Sequence, residues 1–219
     1  MKITISKENY LKAIAEAESE GEVVIAATLS RWLNVSPPAA GMAIRRLSRD
    51  ELIRLDAGGR ISLTRGGREI ATRLLYRHHL IERMLFEVFG MEWYKVHDEA
   101  EQLEHAVSAE FERRLVERLG PGDCPHGNPA ELDRPEDRRR RGLLPLNELP
   151  QDAASRVVSV FERDRRLLEY LDSLGIRPGA GVTLRQRNYD DTLTLETGGR
   201  VIPLGRAAGS RVWVQPAKD

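Results

Sequence analysis

The chain has 219 residues and a single cysteine, Cys124. One thiol cannot close an internal disulfide, so a reducing, cytoplasmic setting is expected. Runs of 18 apolar residues are missing, as is a charged-then-apolar leader, so neither a membrane span nor a signal peptide is expected. Net charge is also missing: 34 Lys and Arg balance 34 Asp and Glu. Nucleic-acid binding therefore has to be argued from charge asymmetry, not from the whole. Several catalytic signatures are absent too. There is no His-Glu-x-x-His, no P-loop and no Gly-x-Ser-x-Gly. Gly179-Ala180-Gly181 has neither a third glycine nor a following helix, which excludes a nucleotide loop. What remains is 41% hydrophobic and 31% charged residues. That balance suits a soluble, globular chain long enough for more than one compact domain.

Charge is unevenly spread. Residues 37–73 hold eight arginines (45, 46, 49, 54, 60, 65, 68, 73) against four acids, whereas residues 99–117 are mostly acidic. The basic segment carries an ordered pattern. Ser6 is positioned to cap a first helix from Lys7, striped by Tyr10, Ile14 and Ala17 and ended by Gly21. A second helix is expected over 24–33, with Ile25, Leu29 and Leu33 inward. Asn34 suits a tight turn, Val35 plugs the core, Ser36 caps, and Pro37 opens a third helix over 37–51 with Ala40, Ile44 and Leu47 inward. That is a helix-turn-helix. Ile53-Arg54-Leu55 and Arg60-Ile61-Ser62-Leu63 alternate as strands around Asp56-Ala57-Gly58-Gly59, which makes the wing of a winged helix. Arg45, Arg46 and Arg49 are left outward for phosphates, with Arg60 at the wing tip. Ser36, Pro38, Ala39, Gly41 and Met42 should face the bases. They offer few hydrogen-bond donors, so thymine-methyl contacts and DNA shape should carry the readout.

Thr64 is positioned to cap a long helix reaching about residue 89. Its apolar residues Ile70, Leu74, Leu75, Leu80, Ile81, Met84, Leu85 and Val88 nearly encircle the C-terminal half, which suggests a subunit interface. A single further helix is expected over 92–119. On these two helices lies a metal-type pattern. His97, Glu101, Glu104 and His105 stand at i, i+4, i+7 and i+8, on one face if helical. His78 and Glu82 stand at i, i+4 on the preceding helix. All five histidines fall between residues 78 and 126. Imidazole nitrogens and carboxylate oxygens facing each other suit Mn, Fe, Co or Zn.

Residues 121–129 form a proline- and glycine-rich turn. Cys124 and His126 have no further ligand pair at a suitable spacing, so a structural loop is expected rather than a zinc site. Arg138-Arg139-Arg140-Arg141 sits in a stretch without apolar pattern, read as a flexible linker. From residue 144 short strands alternate around one helix over 165–174, as in an SH3-like barrel.

The order winged helix, Arg77-His78-His79-Leu80-Ile81-Glu82-Arg83, then Lys95-Val96-His97-Asp98-Glu99-Ala100-Glu101-Gln102-Leu103-Glu104-His105 resembles the diphtheria-toxin-repressor family over essentially the whole chain. The resemblance implies a mainly α protein with small β parts. Residues 1–73 would be the winged helix-turn-helix DNA-binding domain and 74–129 a helical metal-binding and dimerisation domain. Residues 130–143 would be a linker and 144–219 an SH3-like, FeoA-type domain. It implies a repressor of metal-homeostasis genes that binds operator DNA as a homodimer, with Mn(II) or Fe(II) as effector. By position, Asn9, Glu101, Glu104 and His105 match a primary metal site. His78, Glu82 and His97 match an ancillary site, to which Glu162 is the closest match for an oxygen ligand from the SH3-like domain. Asn128 matches part of an anion-binding loop, but Cys124 replaces a serine there. Glu101 stands where the iron-responsive branch has cysteine, which moves preference toward Mn(II). Asn9 and Lys12 replace the aspartate and glutamate of the manganese branch, which favours two separated sites over a close pair. Two rivals remain open. A di-metal oxidase wants two Glu-x-x-His motifs, which are absent. A winged-helix regulator of a small organic ligand would leave the acidic helix merely solvated.

Overall fold

The computed structural model describes residues 3–131 and 133–217. The outer ends of the first and last expected domains, and residue 132 of the expected linker, lie outside them. The N-terminal part is built from α1 (Ile5–Ser19), α2 (Ala26–Trp32), α3 (Pro37–Arg49), β1 (Ile53–Leu55) and β2 (Ile61–Leu63). Thr4, not Ser6, caps α1, accepting from the Lys7 amide. Ser36 caps α3 with Pro37 at its first position. Asn34 takes the positive φ that the turn between α2 and α3 requires. The strands pair antiparallel, Ile53 with Leu63, and the Ile61 amide donates to Val24 O at 2.7 Å. Leu11, Ile14, Leu29, Leu47 and Ile61 are fully buried in one aliphatic core.

Thr64 caps α4 (Arg65–Arg83), which runs on into a π-helical turn (Met84–Val88). At the start of α4, a Cβ on Gly67 would lie 2.0 Å from the Leu52 carbonyl oxygen, so only glycine lets the helix approach β1 this closely. The helix expected over 92–119 is two helices, α5 (Val96–Leu103) and α6 (Ala109–Leu119), with Ser108 capping the second. Periodicity did not show the break because Val107 keeps the apolar phase across it. The consequence matters for the site: Glu104 and His105 lie in the turn after α5, not on its stripe.

Where a flexible linker is expected, α7 (Pro135–Arg140) forms instead. Its charges find carboxylate partners, most of them nearby in sequence and one, Glu20, far away. Arg138 is buried between Asp133 (3.1 Å) and Glu20 (3.5 Å) and lies over the Trp213 ring. Arg139, Arg140 and Arg141 pair with Glu148, Asp137 and Asp133.

The C-terminal part is a six-stranded antiparallel sheet in the order β3-β8-β4-β5-β6-β7. The strands are β3 (Leu144–Pro145), β4 (Ala154–Val160), β5 (Gly181–Arg187), β6 (Thr192–Thr197), β7 (Arg200–Gly205) and β8 (Val212–Pro216). Helix α8 (Arg165–Ser173) follows β4, and α9 (Arg206–Gly209) precedes β8. Register shifts in β4 and β5 bend the sheet around a core that includes Leu168, Leu171, Leu184 and Leu195. This is the SH3-like domain, with one strand more than expected. Trp93, from the segment before α5, packs on that core and donates its indole N–H to Asp172 at 2.6 Å. The helical part is thereby fastened to the β-domain. No helix among the described residues is long and apolar enough to cross a membrane.

Candidate metal centre

Helix α4 presents His78, His79 and Glu82 inward, α5 adds His97, and the segment after β4 adds Glu162. His78, Glu82, His97 and Glu162 are all buried, and one ligand atom from each lies within 4.8 Å of the others. Glu82 Oε1 is 3.0 Å from His78 Nε2 and 3.1 Å from His97 Nδ1, and the two nitrogens are 3.0 Å apart. Glu162 Oε1 stands 3.9 Å from His97 Nδ1. An ion with bonds of about 2.1 Å holds adjacent ligands about 3 Å apart, so the first three atoms already have that spacing. The far nitrogen of His78 is held as well, while that of His97 has a carboxylate near it but no hydrogen-bond partner. His78 Nδ1 meets Glu104 Oε2 at 2.7 Å, and His97 Nε2 faces Glu101 Oε1 at 3.6 Å. A carboxylate on the outer nitrogen orients the ring and turns the inner lone pair toward the centre. The donor set therefore fits a divalent ion.

The second set spans the α1–α5 boundary. His105 Nε2 lies 2.6 Å from Asn9 Oδ1 and 3.4 Å from Glu104 Oε1, and its Nδ1 meets Glu8 Oε2 at 3.0 Å. Asn9, Glu104 and His105 are thus together as expected. Glu101 is turned away from them toward Arg163, 3.0 Å from its Oε1. Lys12, almost fully buried, places its Nζ 2.7 Å from Glu104 Oε2 and 3.9 Å from Glu101 Oε1. Two side-chain cations therefore share this space with two glutamates. Three ligand types still converge here. A close pair of ions would have to displace the Lys12 charge.

The electrostatics are those of a metal-ligand cluster balanced by protons and side-chain cations. Burial opposes charge on His97, but the Glu101 and Glu82 carboxylates outweigh it and raise the ring to about 10. Burial likewise opposes charge on His79, and Glu162 still raises it. Burial works against ionised Glu101, yet His97, Arg163 and Lys12 bring it below the ordinary carboxylate range. Burial and neighbouring Glu82 push Glu162 up, and His79 and His97 reverse that. Lys12 is raised despite burial, by Glu16, Glu104 and Glu101. Burial, with Glu82 and Glu162 beside it, drives the Cys124 thiol well up.

Of the residues expected to meet DNA, Ser36, Pro38 and Met42 are exposed at the start of α3, and Ala39 is half-buried. Arg45, Arg46 and Arg49 are exposed on the same helix, and Arg60 is exposed at the wing. Several neighbours of the metal sets escaped the sequence argument. Glu8 is one of them, one helical turn from Lys12 on α1. His79, next to His78, points about 100° away from it on the helix. It is nevertheless buried, because the β-domain covers that side of α4. Arg163 had no local signal. Asp164, a possible substitute for Glu162, instead caps α8.

Residues 2–57 match the family described as the iron dependent repressor N-terminal DNA binding domain. Residues 64–131 match its metal binding and dimerisation domain, and residues 144–216 match the FeoA domain. A diphtheria toxin repressor from Corynebacterium efficiens is 34% identical over 187 residues, covering 81% of each chain. The iron-dependent repressor IdeR of Mycobacterium tuberculosis is 35% identical over 189 residues, covering 81% of this chain and 82% of its own. Among solved structures, a manganese-dependent transcriptional repressor in complex with manganese aligns with TM-score 0.86 and 29% identity over 96% of this chain and 100% of its own. The IdeR of T. acidophilum aligns with TM-score 0.79 and 27% identity over 99% of this chain and 100% of its own. This chain belongs to the diphtheria-toxin-repressor family of iron-dependent repressors.

Proposed function

We propose that this chain is a metal-dependent transcriptional repressor of metal-homeostasis genes, a DNA-binding protein rather than an enzyme. Its effector is Mn(II) or Fe(II), and it binds operator DNA as a homodimer. Three of the relatives named above are named as repressors, one of them iron-dependent and one manganese-dependent. The observation that carries the reading is the placement of Glu104. Its Oε1 faces His105 and, beyond it, Asn9 of the DNA-binding domain, while its Oε2 holds His78 of the ancillary set. One carboxylate thus belongs to both sets.

The residues divide the work. His78, Glu82, His97 and Glu162 would hold one ion, and Asn9, Glu104 and His105 another, which Glu101 would complete by turning from Arg163. A divalent ion supplies a fixed bridge between α1 and the turn after α5. Asn9 sets where α1 is pinned, and Glu8 keeps the His105 ring oriented. Pinning α1 fixes the angle of the winged helix, and in a dimer that sets the separation of the two α3 helices on DNA. The metal-bound state then has the higher DNA affinity, and the coupling is reciprocal. Arg45, Arg46 and Arg49 contact phosphates and Arg60 the flanking groove, while Ser36, Pro38, Ala39 and Met42 face the bases. Glu101, a hard oxygen donor, favours Mn(II) over Fe(II).

The test is Glu104→Ala on a palindromic, AT-rich promoter fragment at fixed salt. The variant is expected to stay folded and dimeric and to lose metal-stimulated binding. Normal metal dependence in that folded variant overturns the proposal.

A further inference from the structure

Beside the ancillary set, and sharing Glu82 and Glu162 with it, lies a further buried cluster whose His79, Cys124 and His126 the repressor mechanism does not use. His79, Glu82, Cys124 and Glu162 bring one ligand atom each within 4.8 Å of one another, all buried. His126, fully buried, joins them. Its Nδ1 lies 3.5 Å from Glu82 Oε2, 3.6 Å from Glu162 Oε2 and 3.9 Å from Cys124 Sγ. Cys124 Sγ is 3.5 Å from Glu162 Oε2, and His79 Nε2 is 3.5 Å from Glu162 Oε1. An ion with bonds of about 2.0–2.3 Å to nitrogen, oxygen and sulfur spaces tetrahedral ligands about 3.3–3.8 Å apart. These separations have that size.

Three further observations point to a ligand. Both ring nitrogens of His79 and the Oε2 of Glu82 are buried without any hydrogen-bond partner, a costly arrangement unless something fills the space between them. His126 donates its Nε2–H to the Trp93 carbonyl at 2.8 Å. That bond fixes the tautomer and leaves the Nδ1 lone pair aimed into the cluster, as a metal-ligating histidine requires. The loop itself is rigidly seated: a Cβ on Gly127, at φ +79°, would lie 1.9 Å from Val158 O, and the Val160 amide donates to His126 O at 3.0 Å.

The two carboxylates divide their oxygens. Glu82 offers Oε1 to His78 and His97 and Oε2 to His126. Glu162 offers Oε1 to the histidine side and Oε2 to Cys124 and His126. We infer that the chain holds a second ion here, bound by Cys124, His126 and His79 and sharing Glu82 and Glu162 as bridges with the ancillary ion. The thiolate and imidazoles select a borderline ion, Zn(II), Fe(II) or Co(II), over Mn(II). Binding removes the Cys124 thiol proton, which leaves to solvent. Sequence spacing gives Cys124 and His126 no further ligand pair. Their partners come from α4 and from the end of β4, which sequence spacing does not bring together.

The inference rests on the ancillary reading through the shared carboxylates, so the test separates the two. The metal-stripped full chain is titrated with Co(II) under reducing conditions. Wild type should develop the near-ultraviolet charge-transfer absorption of a cobalt thiolate. Cys124→Ser, which preserves shape, should lose it and bind one Co(II) fewer per chain. His126→Gln should weaken it. His97→Gln should change the visible ligand-field bands and leave thiolate absorption. Co(II) bound with no thiolate absorption, or equal stoichiometry in wild type and Cys124→Ser, overturns the inference and leaves the ancillary site standing. Thiolate absorption with visible bands untouched by His97→Gln would instead tell against the ancillary reading alone. A chain that takes up no Co(II) overturns both.

Discussion

Lys12 sits at the crossing of the two metal sets. Its almost fully buried ammonium faces Glu104, Glu101 and Glu16. Removing one member of a buried charge group costs about 3–5 kcal/mol, because the partners are left unpaired. Lys12→Met is therefore expected to lower the stability of the chelator-treated protein by roughly that amount, with metal restoring part of it. Chemical denaturation with and without Mn(II) checks this. Equal stability of variant and wild type in chelator would contradict it. His97 gives the pH dependence. Its folded value is raised to about 10 from an ordinary 6.5. Its contribution is thus fully present below pH 6.5 and is lost as pH rises toward 10. The metal-stripped protein should lose stability across that window, at most about 1.4 kcal/mol per pH unit for one proton. His79 titrates in the same sense, so His97→Gln should flatten the slope in part. An unchanged slope would remove His97 from the account. At this scale the sequence was legible where ligands share a helix: His78 with Glu82, and Glu104 with its neighbour His105. Arg163 and the Lys12 contacts depend on segments that meet only after folding.

At the scale of elements, boundaries followed the capping chemistry. Ser36, Pro37 and Thr64 each mark a helix start, and Gly198-Gly199 turns the β6–β7 hairpin through two positive φ values. Misreadings arose where composition imitates something else. An uninterrupted apolar phase hid the turn between α5 and α6. A run of four arginines looked like a solvated linker because Arg138, its one buried member, pairs with Glu20 on a distant segment. The fit of α4 against β1 makes a sharper claim. Gly67→Ala places a methyl within 2.0 Å of a backbone oxygen. It is expected to cost about 2–3 kcal/mol, toward the upper range for overpacking, and to shift α4 and with it His78. A thermal melt and a metal titration of the variant check both parts. A variant as stable as wild type would show that the helix slides freely.

At the scale of the whole molecule, arginines hold the three parts together. Arg163, from the β-domain, donates to Glu16 at 2.6 Å, to Glu101 and to the Trp32 carbonyl. Arg211 pairs with Glu20, and Arg134 with Glu18. The β-domain therefore rests on the DNA-binding domain as well as supplying Glu162. The apolar residues Phe86, Val88 and Phe89 remain exposed at the end of α4, Phe89 at 69%. In the homodimer proposed above they meet their counterparts. Phe89→Asp is expected to yield a monomer by light scattering and to lose operator binding, since one half-site alone binds weakly. A dimeric variant would move the interface elsewhere. The central claim is that metal bridging α1 to the turn after α5 governs DNA affinity. Retention of wild-type protein on a palindromic promoter fragment, titrated with Mn(II), Fe(II) and a chelator at fixed salt, tests it directly. The account predicts retention that appears with either ion, more readily with Mn(II), and vanishes with chelator. Retention indifferent to metal would contradict it.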